Sequence, residues 1–230
     1  MSSPLIVALD FNREQDALNL VDKLDPKECS LKVGSELFTL FGTHFVRQLV
    51  DRQFKVFLDL KFHDIPNTVA NACKAAADLG VWMMNVHASG GMNMMHSARL
   101  ALESYGVNRP ILIAVTVLTS FSQEDLASIG ITIPVMEHVK NLARLAKESG
   151  LDGVVSSAHE VKEIKNECSA DFITVTPGIR LATDAKNDQT RIMTPAEARA
   201  AGSDYLVVGR PITQSNEPEQ VIAAILASFK

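Results

Sequence analysis

Eight short apolar, β-rich runs alternate with helix-length segments along 230 residues, a count that predicts an α/β fold built as a single (β/α)8 (TIM) barrel. A second observation argues against the main rival. A doubly wound open sheet normally carries a Gly-x-Gly-x-x-Gly turn after its first strand, and here that strand ends Ala8-Leu9-Asp10-Phe11, without glycine. Third, polar and charged residues collect where the runs end, which is where barrels of this class hold their chemistry.

The strands are expected at residues 5–9, 29–33, 56–60, 81–86, 111–117, 153–155, 172–175 and 205–208. Helices are expected at 14–24, 68–79, 93–104, 134–148, 160–167, 194–201 and 218–227. In the first, Ala17, Leu18, Val21 and Leu24 recur at helical spacing, and the second is rich in alanine, the best helix former. Thr194-Pro195-Ala196-Glu197 reads as a helix start, with a capping threonine, proline at the first position and glutamate at the third. The 160–167 segment is charge-rich and is expected to show a solvated face. No linker, low-complexity tract or repeat beyond the βα unit interrupts the pattern, so residues 1–230 are read as one domain.

Composition bounds the function. The chain is 47% hydrophobic and 21% charged, an ordinary globular balance, and its formal charge of −5 comes with no basic face or tail to suit nucleic acid. Cys29, Cys73 and Cys168 are odd in number and lack Cys-x-x-Cys spacing, so buried thiols are expected rather than disulfides or a zinc site. The opening MSSPLIVALDFNRE lacks a basic segment ahead of its short apolar run, and no stretch approaches the ~18 apolar residues of a membrane span. A cytoplasmic, membrane-free protein is expected.

The polar strand ends give the candidate residues. Strand one ends in Asp10, strand two in Lys32 before Gly34, and strand four in Asn85 and His87. Strand five ends in Thr116, Thr119 and Ser120, and strand six in Ser156 and Ser157. Strand three, within KVFLDLKFHDIPNTV, delivers Asp59, Lys61 and then Asp64. Residues two apart on a strand share a face, so Asp59 and Lys61 are expected to project with Phe57, their Cα atoms about 6.6 Å apart. Charges in a buried strand need partners or a function. Lys32, Asp59, Lys61 and Asp64 alternate in sign, so each can be paired; an ion-pair plug at the barrel mouth is the structural alternative.

Strands seven and eight end in PGIR and VGRPI. Loops at these two places often bind phosphate: Gly178 and Gly209 let backbone amides approach, and Arg180 and Arg210 offer planar donors. The polar segment LATDAKNDQTRIM that follows strand seven has the length of a lid, in which Gln189 can bond a ligand oxygen. His63 is read as local packing, His87 as supporting the site from beside it, and Met92, Met94 and Met95 as helix or interface packing.

DLKFHDIPNTV resembles the signature of the orotidine 5′-monophosphate decarboxylases of bacterial type. The resemblance continues in order through ALD, LKVG, VHASGG, TVLTS, TPGIR, DQTRIMTP and DYLVVGRPIT, and so spans the chain. It implies decarboxylation of orotidine 5′-monophosphate to UMP without metal or organic cofactor. Lys61 would donate a proton to ring carbon C6, and Lys32, Asp59 and Asp64 would complete the charged array. Asp10 and Thr68 would hold ribose hydroxyls, Ser120 with Thr119 the pyrimidine, and Arg180, Gln189, Gly209 and Arg210 the phosphate. A homodimer is implied, in which Asp64 and Thr68 reach the neighbouring protomer's site. Close relatives often have glycine before the lid's Asp-Gln, where this chain has Asn187, the residue next most tolerant of a left-handed backbone. Magnesium-dependent sugar-phosphate decarboxylases and aldolases share the Asp-x-Lys-x-x-Asp pattern and would need a further carboxylate. A non-catalytic phosphometabolite-binding barrel would keep the arginines but have no use for Lys61.

Overall fold

The strand-forming runs are apolar at consecutive rather than alternate positions, which suits a sheet buried on both faces. In the computed structural model, which describes residues 3–179 and 193–229, eight parallel strands close into a barrel in sequence order. The first half runs β1 (Leu5–Ala8), α1 (Glu14–Val21), β2 (Ser30–Gly34), α2 (Ser35–Asp51), β3 (Val56–Phe62), α3 (Pro66–Ala77), β4 (Met83–His87) and α4 (Gly91–Ala101). The second runs β5 (Ile111–Val115), α5 (Gln123–Ser128), α6 (Val135–Glu148), β6 (Gly153–Val155), α7 (Val161–Glu167), β7 (Ile173–Thr176), α8 (Pro195–Ala200), β8 (Tyr205–Val208), α9 (Arg210–Thr213) and α10 (Pro218–Ser228). No helix among the described residues is long and apolar enough to cross a membrane.

All eight expected strands form, with ends moved by a residue or two. Helix α3 starts at Pro66, two residues before the expectation, because proline suits the first helical position. Helix α8 starts as read: Thr194 Oγ1 accepts from the Glu197 N–H at 3.3 Å, and the Glu197 carboxylate accepts from the Thr194 N–H at 2.8 Å. Three helices lie outside the expected set, among them α9, a single turn of 4 residues at the end of β8. Helix α2 contains Gly42 at φ 63°, ψ −154°, which breaks it into two shorter arcs and hides a single apolar period. Helix α5 is only 6 residues long, too short for periodicity to register. The solvated face expected across 160–167 needs one correction. Glu160 lies in a tight turn before α7 and is buried, its carboxylate accepting the Ser157 N–H at 2.9 Å.

Strand parity decides what the barrel contains. Leu5 and Val7 of β1 pack outward against the helices, and Ile6 and Ala8 point inward. The inner cluster adds Phe57, Met83, Ile113, Val175 and Val207, an apolar plug that closes the barrel's interior. Lys32 lies between outward Leu31 and Val33, and pairs in register with Phe57. Parity therefore turns Lys32 inward, and Asp59, two residues beyond Phe57, with it. All three cysteines are buried free thiols, and burial pushes Cys29 and Cys73 up to about 12.

Candidate active site

Above the plug, at the carboxyl ends of the strands, opens a cavity of about 700 Å³, a size that suits a nucleotide-scale ligand. Its floor is Ala8, Phe57 and Val207. One wall carries Asp10, Lys32, Asp59 and Lys61, another the apolar Val115, Val117 and Leu118, and a third Pro177, Gly178, Gly209 and Arg210.

The charged wall is a chain of alternating sign. Asp10 Oδ1 lies 3.4 Å from Lys32 Nζ, Lys32 Nζ lies 3.3 Å from Asp59 Oδ2, and Lys61 Nζ lies 2.7 Å from Asp59 Oδ1. The Lys32 and Asp59 side chains are each 12% exposed, Lys61 31% and Asp10 63%, so the array runs from a buried centre to two ends that reach solvent. Burial opposes the charge on Lys32, but Asp59 and Asp10 outweigh it and hold its pKa above the ordinary lysine value. Lys32 is thus an ammonium throughout the neutral range. Gly34 leaves room for it, since a Cβ there would lie 3.2 Å from Lys32 Nζ.

Lys61 does not sit on a regular strand. Its φ is +54°, a left-handed conformation that costs a non-glycine residue about 1–2 kcal/mol. The pairing of β3 with β4 slips here: Leu58 faces Met84, but the next paired residue is Phe62, facing Val86. The extra β3 residues bulge out between them. Asn85, fully buried opposite the bulge, accepts the Lys61 N–H at Oδ1 (2.8 Å) and donates from Nδ2 to Asp59 Oδ1 (2.7 Å).

At the opposite wall, Gly178 adopts φ +81° and Gly209 begins the turn into α9, which Arg210 opens. A Cβ on Gly209 would meet Asp10 Oδ2 at 3.5 Å, so the two ends of the cavity approach each other across this glycine.

Of the residues singled out in the sequence, Asp10, Lys32, Asp59, Lys61, Thr119, Gly178, Gly209 and Arg210 line this one cavity. Ser120 follows Thr119 but is exposed and outside the lining. Asp64 and Thr68 are exposed on the rim, where Asp64 accepts the Ile65 N–H at 2.6 Å instead of joining its own chain's array. Arg180, Gln189 and Asn187 lie outside the described residues. His63 is exposed, its ring 5.6 Å from that of half-buried His87, and neither lines the cavity. Met94 and Met95 are buried in the core and Met92 is 45% exposed. Sequence reasoning misses Phe11, Thr213 and Gln214 in the lining and the part played by Asn85. Thr213 and Gln214 directly follow VGRPI, so extending that motif by two residues would find them.

Comparison with known proteins agrees with this geometry. Residues 3–225 match the model of the orotidine 5′-phosphate decarboxylase / HUMPS family. An orotidine 5′-phosphate decarboxylase of Legionella pneumophila (strain Paris) is 64% identical over 226 residues, covering 98% of this chain and 99% of the relative. One from Pectobacterium atrosepticum is 58% identical over 229 residues, covering 100% of this chain and 93% of the relative. Among solved structures, the orotidine 5′-phosphate decarboxylase of Lactobacillus acidophilus superposes with a TM-score of 0.89 at 41% identity, over the full length of both chains. With the match running the length of the barrel and through the motifs that build its charged cavity, the chain belongs to the orotidine 5′-phosphate decarboxylase / HUMPS family.

Proposed function

We propose that the chain, acting as one catalytic domain, decarboxylates orotidine 5′-monophosphate to UMP and CO2 in pyrimidine biosynthesis in the cytoplasm, and needs no cofactor to do so. Its relatives bear the decarboxylase name over nearly their whole length. What supports the mechanism most is the position of Lys61, whose ammonium lines the cavity while Asp59 grips it at 2.7 Å.

The bond from C6 to the carboxyl carbon breaks, CO2 leaves, and the electron pair stays on C6. The Lys61 ammonium beside that carbon stabilises the charge as it forms and then gives up a proton to make the new C–H bond. Solvent reprotonates the amine. Asp59 and Lys32 fix the ammonium; Asp59 also stands where the departing carboxylate would lie, so their repulsion is relieved as CO2 leaves. Thr119 and Ser120 hold the pyrimidine and Asp10 a ribose hydroxyl. Gly209 and Arg210, with Arg180 and Gln189 of the lid segment, hold the phosphate, whose binding energy is used in the transition state by closing the site.

Asp64 and Thr68 serve the neighbouring site of a homodimer, Asp64 completing the array and Thr68 holding ribose. Their exposure on the rim supports this reading, as does Ile65 between them, 67% exposed though large and apolar.

The test is the ultraviolet absorbance of orotidine 5′-monophosphate mixed with the protein in excess EDTA. Loss of the orotate chromophore with formation of UMP is expected. Lys61→Ala should lower turnover at least about 10³-fold while still binding UMP. Normal turnover in that variant sinks the mechanism. No reaction with EDTA, but activity on a keto sugar phosphate once Mg²⁺ is added, moves the chain to the sugar-phosphate branch.

A further inference from the structure

A bulge in a buried parallel strand leaves backbone groups without ladder partners, and such groups must be satisfied in another way. Here β3 advances from Leu58 to Phe62 while β4 advances only from Met84 to Val86. The Lys61 N–H falls inside that gap. The partner strand supplies a side chain in place of a carbonyl: Asn85 Oδ1 takes this N–H at 2.8 Å. The same amide donates to Asp59 Oδ1 at 2.7 Å, the oxygen that also grips Lys61 Nζ at 2.7 Å. Turning the amide over would set its N–H against the Lys61 N–H and its oxygen against a carboxylate, so the environment permits one orientation.

We propose that Asn85 is a positioning residue that sets the Lys61 ammonium against the reacting carbon by clamping both the peptide that carries it and the carboxylate that grips it. Asn85 itself lies beneath the cavity and is absent from its lining. Its inward direction follows from parity with Met83 of the interior plug. The clamp explains why lysine tolerates a left-handed backbone at φ +54°: the amide bond holds it there, and released, the backbone would relax toward the extended region and carry the ammonium away. The inference rests on the reading of Lys61 as the proton donor.

The experiment compares kcat and KM for orotidine 5′-monophosphate in the unaltered dimer, Asn85→Ala and Asn85→Asp, with active sites counted by UMP binding. Asn85→Ala is expected to lose about 10- to 100-fold in kcat per site, the effect of a misplaced reacting group, with KM changed by less than about 2-fold. Asn85→Asp has the same size and keeps the acceptor for the Lys61 N–H, but sets a carboxylate against Asp59; it should lose more kcat, again with little change in KM. A role in stability alone would lower the melting temperature and the number of sites but leave kcat per site intact, and that result overturns the proposal. If the variants fail to fold, the unaltered protein decides. The Lys61 amide should show hydrogen-exchange protection like that of the β3 ladder amides, and exchange at a loop-like rate refutes the clamp. Failure of the underlying reading looks different: it is an unaltered protein that does not turn over orotidine 5′-monophosphate, or a Lys61→Ala variant that does.

Discussion

The two ends of the barrel hold the same kinds of charged group and use them in opposite ways. At the amino ends of the strands, Asp152 and Asp204 each stand one residue ahead of a strand and repeat one device. The Asp152 N–H donates to the Leu112 carbonyl and its carboxylate accepts the Leu112 N–H at 2.7 Å, while both carboxylate oxygens receive Arg109 at 2.7 Å. The Asp204 N–H donates to the Thr174 carbonyl, and its Oδ2 accepts the Thr174 N–H, the Thr174 hydroxyl and Lys165. These carboxylates spend their capacity on the chain itself. At the carboxyl ends, the array from Asp10 to Lys61 faces a cavity, and a lysine with three N–H donors turns one of them to Asp59 while it lines that space. Equal chemistry thus gives a fastening at one end and a reactive surface at the other, as the division of labour in such barrels requires.

The strongest way to break this contrast is to remove a fastening. Asp152→Ala leaves the Arg109 guanidinium without its bidentate partner and the Leu112 N–H without its acceptor. The side chains of both pair members are 21% exposed, so solvent recovers part of the loss. A destabilisation of about 2–4 kcal/mol is expected, or roughly 5–15 °C in melting temperature. Per folded site, kcat/KM should be unchanged. A variant that melts within about 2 °C of the parent, or that loses activity while fully folded, erases the distinction between the ends.

The other end can be probed through its strain. Lys61→Ala and Lys61→Gly both delete the ammonium, so both should be inactive. They differ in what the left-handed backbone at position 61 costs: alanine keeps the penalty and glycine removes it, at some expense in unfolded-chain entropy. Lys61→Gly should therefore be more stable than Lys61→Ala by about 1 kcal/mol in chemical denaturation. Equal stability would mean that position 61 stores no strain and that the active end is built as comfortably as the fastened one.

Much of this contrast is legible in the sequence itself. Consecutive apolar residues mark the strands because both faces of a barrel strand are buried, and Lys32, Asp59 and Lys61 stand out because charge is expensive there. Parity puts Asp59 and Lys61 on the face of Phe57, and the structure shows that this face is the inner one. The illegible parts depend on register between distant strands. Nothing in DLKF announces a bulge, because lysine carries no preference for the left-handed region. Asn85 matters only through where β3 slips against β4, which brings it to a backbone N–H 24 residues earlier in the chain. The fastenings at the amino ends are equally silent: Asp152-Gly153 and Asp204-Tyr205 look like ordinary turn chemistry until the neighbouring strand is in place. Helix α2 is hidden for a local reason, the broken period at Gly42.

The smallest effect concerns pH and again separates the ends. His87, at the end of β4, is held below its ordinary 6.5 by burial first, then by His63 and Lys61, with Asp59 pulling weakly the other way. The folded protein therefore takes up this proton later than the unfolded chain as pH falls. Below about 6.5 the unfolded chain binds more protons, so stability declines with falling pH until the folded pKa is reached. His87→Gln removes that contribution and should flatten the loss of melting temperature between about pH 7.5 and 5.5 by roughly 1–2 °C, since the ring is only half-buried and solvent screens it. The slope should not vanish, because burial also depresses His138 on α6. Arg109 gives no slope in this window: its hydrogen bonds to Asp152 raise the guanidinium pKa further, against the opposing effect of burial, and it was already far above the range scanned. Parallel melting curves for parent and His87→Gln would remove His87 from the groups through which acid reaches the active end of the barrel.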